Sequence, residues 1–183
     1  MRAVALAIAL ALAGCSSGPT INSVANGGGT SRGTVERIAP AQRSTVITVK
    51  GTTPDDIVID TSAFRGQVVV LNTWGSWCGP CNAEAAALQR AFTALAPQSV
   101  EFLGINIRDD DAALRSFERK FAITYPSVRY DGGSVALQLK GKAPGVPTTL
   151  VLDRQGRLAA RVTTQIDTNT LTGLVLDVLK EPV

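Results

Sequence analysis

Histidine is absent from all 183 residues. That removes the Ser-His-Asp triad, Cys-His proteolysis and every histidine-containing zinc site. Aromatic residues make up only 5% of the chain, and no basic stretch is interleaved with them, so a nucleic-acid surface has no support. The net charge of +3 is mild and the basic residues are scattered, as on an ordinary solvated surface. The apolar run Ala3–Ala13 is too short for a transmembrane helix. Cysteine is scarce, at three. Two closely spaced cysteines cannot complete a structural zinc site, so no metal is expected.

What is present, 45% hydrophobic residues, is enough for one ordinary domain and an appendage. Arg2 followed by Ala3–Ala13 reads as a signal peptide over residues 1–14. Its end, Leu12-Ala13-Gly14-Cys15, resembles the lipobox of bacterial lipoproteins, in which the cysteine after the cleavage site carries a diacylglycerol. The alternative is a plain secretory signal that happens to contain a cysteine. Lipidation accounts for the odd cysteine and leaves Cys78 and Cys81 as a pair in an oxidising compartment. Residues 15–44, rich in Ser, Gly, Thr and Asn without apolar periodicity, read as the lipidated cysteine and a flexible tether. Residues 45–183 form the expected domain.

The chemistry concentrates in Val68–Cys81, VVVLNTWGSWCGPC. The apolar, β-branched start is what a strand buried on both faces of a parallel sheet needs. After a Gly-Ser-Trp turn, two cysteines separated by Gly79-Pro80 stand at the mouth of a helix. There, unpaired backbone N–H groups and the helix dipole favour a thiolate, the reactive form of cysteine. Cys78 is thus the expected nucleophile, and Cys81, one turn further in, the resolving thiol. These residues point to a redox site.

Around this stretch, Thr45–Val49 and Ile57–Ile59 suggest a hairpin, and Ala85, Leu88, Phe92 and Leu95 form one stripe of the helix after the cysteines. Val100–Ile107 is a second buried strand, joined to the first by a right-handed β-α-β crossover. Asp109-Asp110-Asp111 supplies a cap and first-turn carboxylates to a helix bearing Leu114, Phe117 and Phe121. A cation reading of that triplet lacks the further ligands of a hard-ion shell. Short elements are expected at Val128–Tyr130 and Ser134–Leu139. Thr149–Leu152 and Leu158–Val162 then form a hairpin, and Asp167 caps a last helix with Leu171, Leu174, Val175 and Val178 inward. The expected fold is α/β: a central mixed sheet with helices on both faces and an N-terminal β-hairpin.

From about Val46 onward the chain resembles the TlpA/ResA group of membrane-tethered, thioredoxin-fold thiol-disulfide oxidoreductases. The resemblance rests on RGQVVVLNTWGSWCGPCNAE, VEFLGINIRDD and GVPTT. It implies a thioredoxin-like fold, a cis Val146-Pro147 bond beside the cysteines, and main-chain pairing of substrate at Val146. It implies no cofactor beyond the redox-active Cys78–Cys81 disulfide. Trp77, Gly79, Pro80, Val146 and Pro147 are the implied substrate-binding residues, with Trp77 shielding the disulfide and Trp74 serving in packing. Glu84, on the same helical face as Cys81, matches a glutamate proposed in relatives to assist proton transfer. A carboxylate there could equally complement the helix dipole, so both readings stand. Two departures stand out. Asn72 occupies the place of the buried acid of thioredoxins proper, and Ala85-Ala86 replaces a frequent Met-Pro.

The resemblance implies an extracytoplasmic, lipid-anchored reductase of the cytochrome c maturation branch. Its substrate is the disulfide of an apocytochrome c Cys-x-x-Cys-His motif, and its electrons come from a membrane thiol donor (CcdA/DsbD-like). The residues leave open an oxidant that forms disulfides in secreted proteins. A peroxidase would use a single cysteine in a Thr/Ser-rich loop rather than a Cys-x-x-Cys pair. A non-catalytic lipoprotein with a structural staple gains little stability from so small a loop.

Overall fold

The structure, a computed structural model, describes residues 34–182. The proposed signal peptide and Cys15 lie outside the described residues. Chain order is β1 (Val35–Arg37), β2 (Lys50–Thr52), β3 (Val58–Asp60), β4 (Val68–Trp74), α1 (Gly79–Leu95), β5 (Val100–Asn106) and α2 (Asp111–Phe121). It continues with β6 (Ser127–Val128), α3 (Ser134–Gln138), β7 (Thr148–Leu152), β8 (Leu158–Val162) and α4 (Thr168–Leu179).

Six strands make one mixed sheet in the order β1-β8-β7-β4-β5-β6, with β4, β5 and β6 parallel and the remaining pairs antiparallel. β4 lies inside it and is buried along its whole length, which is why its sequence is continuously apolar up to Leu71 rather than alternating. The alternation survives as a division of labour. Val68 and Val70 face a core shared with Leu88, Ala91 and Leu95 of α1 and with Leu171, Leu174 and Val175 of α4. Val69 and Leu71 face a second core with Ile47, Val49, Val135 and Leu139. Helices thus cover both faces, as expected.

α1 runs from Gly79 to Leu95 without a break at Ala85-Ala86. α2 follows β5 in the chain. Its Leu114 and Phe117 join a third cluster with Trp74, Cys78, Cys81 and Ala85, and Phe117 stacks on Trp74 at a centroid distance of 4.2 Å. Trp74 is a packing residue, as expected. It crowds Gly104, where a Cβ would stand 2.8 Å from the indole nitrogen.

Two expectations need correction. The N-terminal hairpin exists, but its first strand is Lys50–Thr52, and Val46 just before it instead bridges Arg157, with Ile47 and Val49 fully buried. These side chains are drawn into the core; the Ile47 N–H bonds to the Gly156 carbonyl, outside the hairpin, while Val49 faces Thr61 as the next pair beyond Lys50 and Asp60. Residues 35–43, expected within the tether, belong to the folded unit. Val35–Arg37 pairs with β8, and buried Arg43 grips Glu181 through two bonds of 2.5 and 2.6 Å and Asp153 at 3.3 Å. The ordered unit begins before Thr45 because ladder bonds and a desolvated guanidinium compensate for the lack of apolar periodicity. Among the described residues no helix is long and apolar enough to cross a membrane.

Candidate active site

Cys78 is the N-cap of α1, and its sulfur accepts the Cys81 backbone N–H at 3.2 Å. The pair is closed as a disulfide. Cys78 is 5% exposed and Cys81 1%, so the outer sulfur is the one an incoming thiol or disulfide meets. In the reduced state the same geometry places a thiolate at a helix N-terminus with a backbone donor aimed at it, which favours ionisation. Gly79 and Pro80, between the cysteines, are exposed.

Trp77 is 56% exposed, and its indole N–H donates to the Ile107 carbonyl at 3.1 Å. The ring lies over Gly75, where a Cβ would fall 2.7 Å from it, so that glycine is required for close approach. Half-buried Val146 packs against the cysteine cluster, and Pro147 is buried. The Val146-Pro147 bond is cis, as the resemblance implies. Thr73, at the end of β4, secures this loop. Its hydroxyl lies 3.1 Å from the Gly145 carbonyl and accepts the Thr148 N–H at 3.2 Å.

Glu84 is 2% exposed. One carboxylate oxygen accepts from the Asn72 side-chain amide at 2.8 Å, and the other from the Ile166 N–H at 3.0 Å. Burial pushes its carboxyl up to about 7, against the opposing pull of those two donors. A carboxylate that only complemented the helix dipole would sit in solvent at the first turn. This one is inside the protein.

The sequence reading missed the groups that hold the cysteine loop. Asp109 does not cap α2; Asp110 does, accepting the Ala113 N–H at 2.8 Å. Asp109 instead accepts from the Ser76 N–H, the Ser76 hydroxyl and the Asn106 amide, each at 2.7 Å. Asn82 donates to the carbonyls of Ser76 and Cys78 at 2.9 Å each, and accepts from Lys120 at 3.2 Å. An acidic triplet before a helix hides which acid caps and which reaches sideways. Only the serine two residues before Cys78 hinted at a partner. Among the described residues no group of three His, Cys, Asp or Glu side chains could hold a metal ion.

The comparisons with known proteins agree with this geometry. The model of the AhpC/TSA family matches residues 42–161. The chain belongs to the AhpC/TSA family. Within it, thiol-disulfide oxidoreductase ResA of Geobacillus kaustophilus is 31% identical over 135 residues, covering 70% of this chain and 74% of the relative. Its namesake from Geobacillus thermodenitrificans is 30% identical over 126 residues, covering 65% and 71%. Among solved structures, a DsbF homologue from Corynebacterium diphtheriae superposes with a TM-score of 0.72 at 31% identity, covering 78% of this chain and 92% of that one. A secreted thiol-disulfide isomerase from Corynebacterium glutamicum gives 0.74 at 30% identity, covering 80% and 92%. The fold is thioredoxin-like, and this member of the family is a thiol-disulfide oxidoreductase.

Proposed function

We propose that this protein is an extracytoplasmic reductase of protein disulfides, with apocytochrome c, before haem attachment, as its substrate. The observation that carries the reading is Cys78 at the N-terminus of α1, its sulfur facing a backbone donor, next to an exposed tryptophan and with Val146 packed against its cluster. In the reduced protein the Cys78 thiolate attacks a substrate sulfur, forming a mixed disulfide and expelling the other substrate sulfur as a thiolate. Cys81 then attacks Cys78, closes the internal disulfide and releases the second substrate sulfur. Two electrons pass to the substrate. Glu84 accepts the Cys81 proton, and Trp77, Gly79, Pro80, Val146 and Pro147 form the docking surface. A membrane thiol donor returns the electrons. A lipid on Cys15 anchors the chain, with residues 1–14 as the signal and the following segment as the tether.

The deciding measurement is the equilibrium reduction potential of the Cys78–Cys81 pair, titrated against a thiol buffer and read by tryptophan fluorescence. A value near about −270 mV supports the reductase. A value near about −120 mV turns the assignment to oxidative folding, a second reading favoured by the likeness to a secreted thiol-disulfide isomerase. Cys81→Ser should accumulate a mixed disulfide through Cys78, and Cys78→Ser should abolish turnover. A Cys78→Ser variant that still turned over would overturn both cysteine roles. The anchor is checked by a lipid mass shift that disappears in Cys15→Ala.

A further inference from the structure

We propose that Asn72 is a positioning residue for disulfide exchange, its side-chain amide holding in place the carboxylate of Glu84, one helical turn after Cys81. This rests on the reading of Glu84 as the Cys81 proton acceptor. Four elements meet at the clamp. Asn72 comes from β4, Glu84 from α1, Thr149 from β7 and Ile166 from the turn before α4. The Asn72 nitrogen donates to Glu84 Oε1 at 2.8 Å and to Thr149 Oγ1 at 3.1 Å. Both amide hydrogens are therefore committed, and the group cannot rotate without losing two bonds. Glu84 Oε2 takes the Ile166 N–H at 3.0 Å. Each carboxylate oxygen thus receives one neutral donor, and two donors on different oxygens fix the plane of the group.

The surroundings make the donor matter. Among the described residues no Lys or Arg forms an ion pair with Glu84. Cys81 stands three residues earlier on the same helix, and the buried phenol of Tyr125, kept neutral by burial, lies near enough to feel the Glu84 charge. Asp167, next to Ile166, commits its carboxylate to Thr170 at 2.9 and 2.7 Å. The negative charge on Glu84 is therefore stabilised by hydrogen bonds rather than by a cation. An aliphatic side chain at position 72 would leave Oε1 bare. An aspartate would face one carboxylate with another across hydrogen-bond distance, and the pair would retain a proton. The amide supplies both hydrogen bonds, to Glu84 and to Thr149, from one nitrogen without bringing charge. In the step it serves, Cys81 gives its proton to Glu84 and the thiolate attacks Cys78 of the mixed disulfide. The substrate sulfur leaves with the bond's electrons and is protonated in turn.

The test is infrared titration of the Glu84 carboxyl in the oxidised protein, alongside the pH profile of mixed-disulfide resolution. Wild type should titrate near about 7. Asn72→Ala should strengthen proton binding by about tenfold or more and slow resolution at neutral pH by a similar factor. Asn72→Asp, close to isosteric and so a guard against misfolding, should keep one proton on the pair above pH 8. A Glu84 titration unmoved in both variants overturns the role of Asn72. Should Glu84→Gln instead leave the pH profile of resolution unchanged, the proton-acceptor reading fails and the proposal falls with it.

Discussion

At the residue scale, the protein's pH response turns on Glu84. Its carboxyl is raised from an ordinary 4.5 to about 7 because burial penalises the charge more than two hydrogen bonds stabilise it. The folded state therefore holds a proton that the unfolded chain has released between these limits. Stability should fall as pH rises through that window, by up to roughly 3 kcal/mol. Asp60, Asp131 and Asp167 act oppositely in a separate window. Their carboxyls are lowered in the folded state, and the stability they add is lost only as pH falls below about 3.8. Urea midpoints of the oxidised protein from pH 5 to 8 should decline, and Glu84→Gln should flatten the decline. The helical spacing of Glu84 from Cys81 made the pair legible in the sequence. Ile166, 82 residues away, could not be foreseen, because a backbone donor carries no side-chain signature.

At the scale of elements, the reactive part is a junction, the turn from β4 into α1, and it is braced from two sides. Asp109 and Asn82 hold Ser76 and the Cys78 carbonyl, while Thr73 holds the Gly145–Thr148 segment opposite. Asp109→Ala leaves the Ser76 N–H and the Asn106 amide without their carboxylate. A loss of about 2 kcal/mol is expected, with slower exchange by a loosened turn. Denaturant titration and stopped-flow exchange measure the two effects separately. Thr73→Val removes the hydroxyl that satisfies Thr148 and should cost about 1 kcal/mol. If the Gly145–Thr148 segment receives substrate, KM should rise in this variant more than kcat falls.

At the scale of the whole molecule, the first and last parts of the described residues are tied to each other. Arg43 joins the segment after β1 to Glu181 beyond α4 and to Asp153 in the β7–β8 turn, where Arg157 adds a bond of 2.8 Å. The Arg43 and Asp153 side chains are each only 3% exposed. Arg43→Ala should therefore cost about 3 kcal/mol by leaving a buried carboxylate short of its partner. Arg115, paired with Asp55 in the open, should lose far less on the same change, because solvent screens the pair. Thermal unfolding of the two variants side by side checks the contrast. Equal losses would mean that the Arg43 contacts do not bear on stability.

The sequence by itself determined the sheet's inner strands, the helix that follows the cysteines and the redox pair. Each rests on local signals: a continuous β-branched run, a turn, and two thiols at a helix mouth. The Asp167 cap and the stripe of α4 were legible for the same reason, since capping and amphipathicity act within one or two turns. Tertiary structure alone decided where unpatterned segments go. Residues 35–43 look like linker because edge pairing and one buried guanidinium leave no periodicity to read. Asp109 looks like a cap until its true partner arrives from another loop. Asn72 looks like a missing acid until α1 brings Glu84 against it. Hydrogen bonds between distant residues depend on relative position, and only the folded chain supplies that.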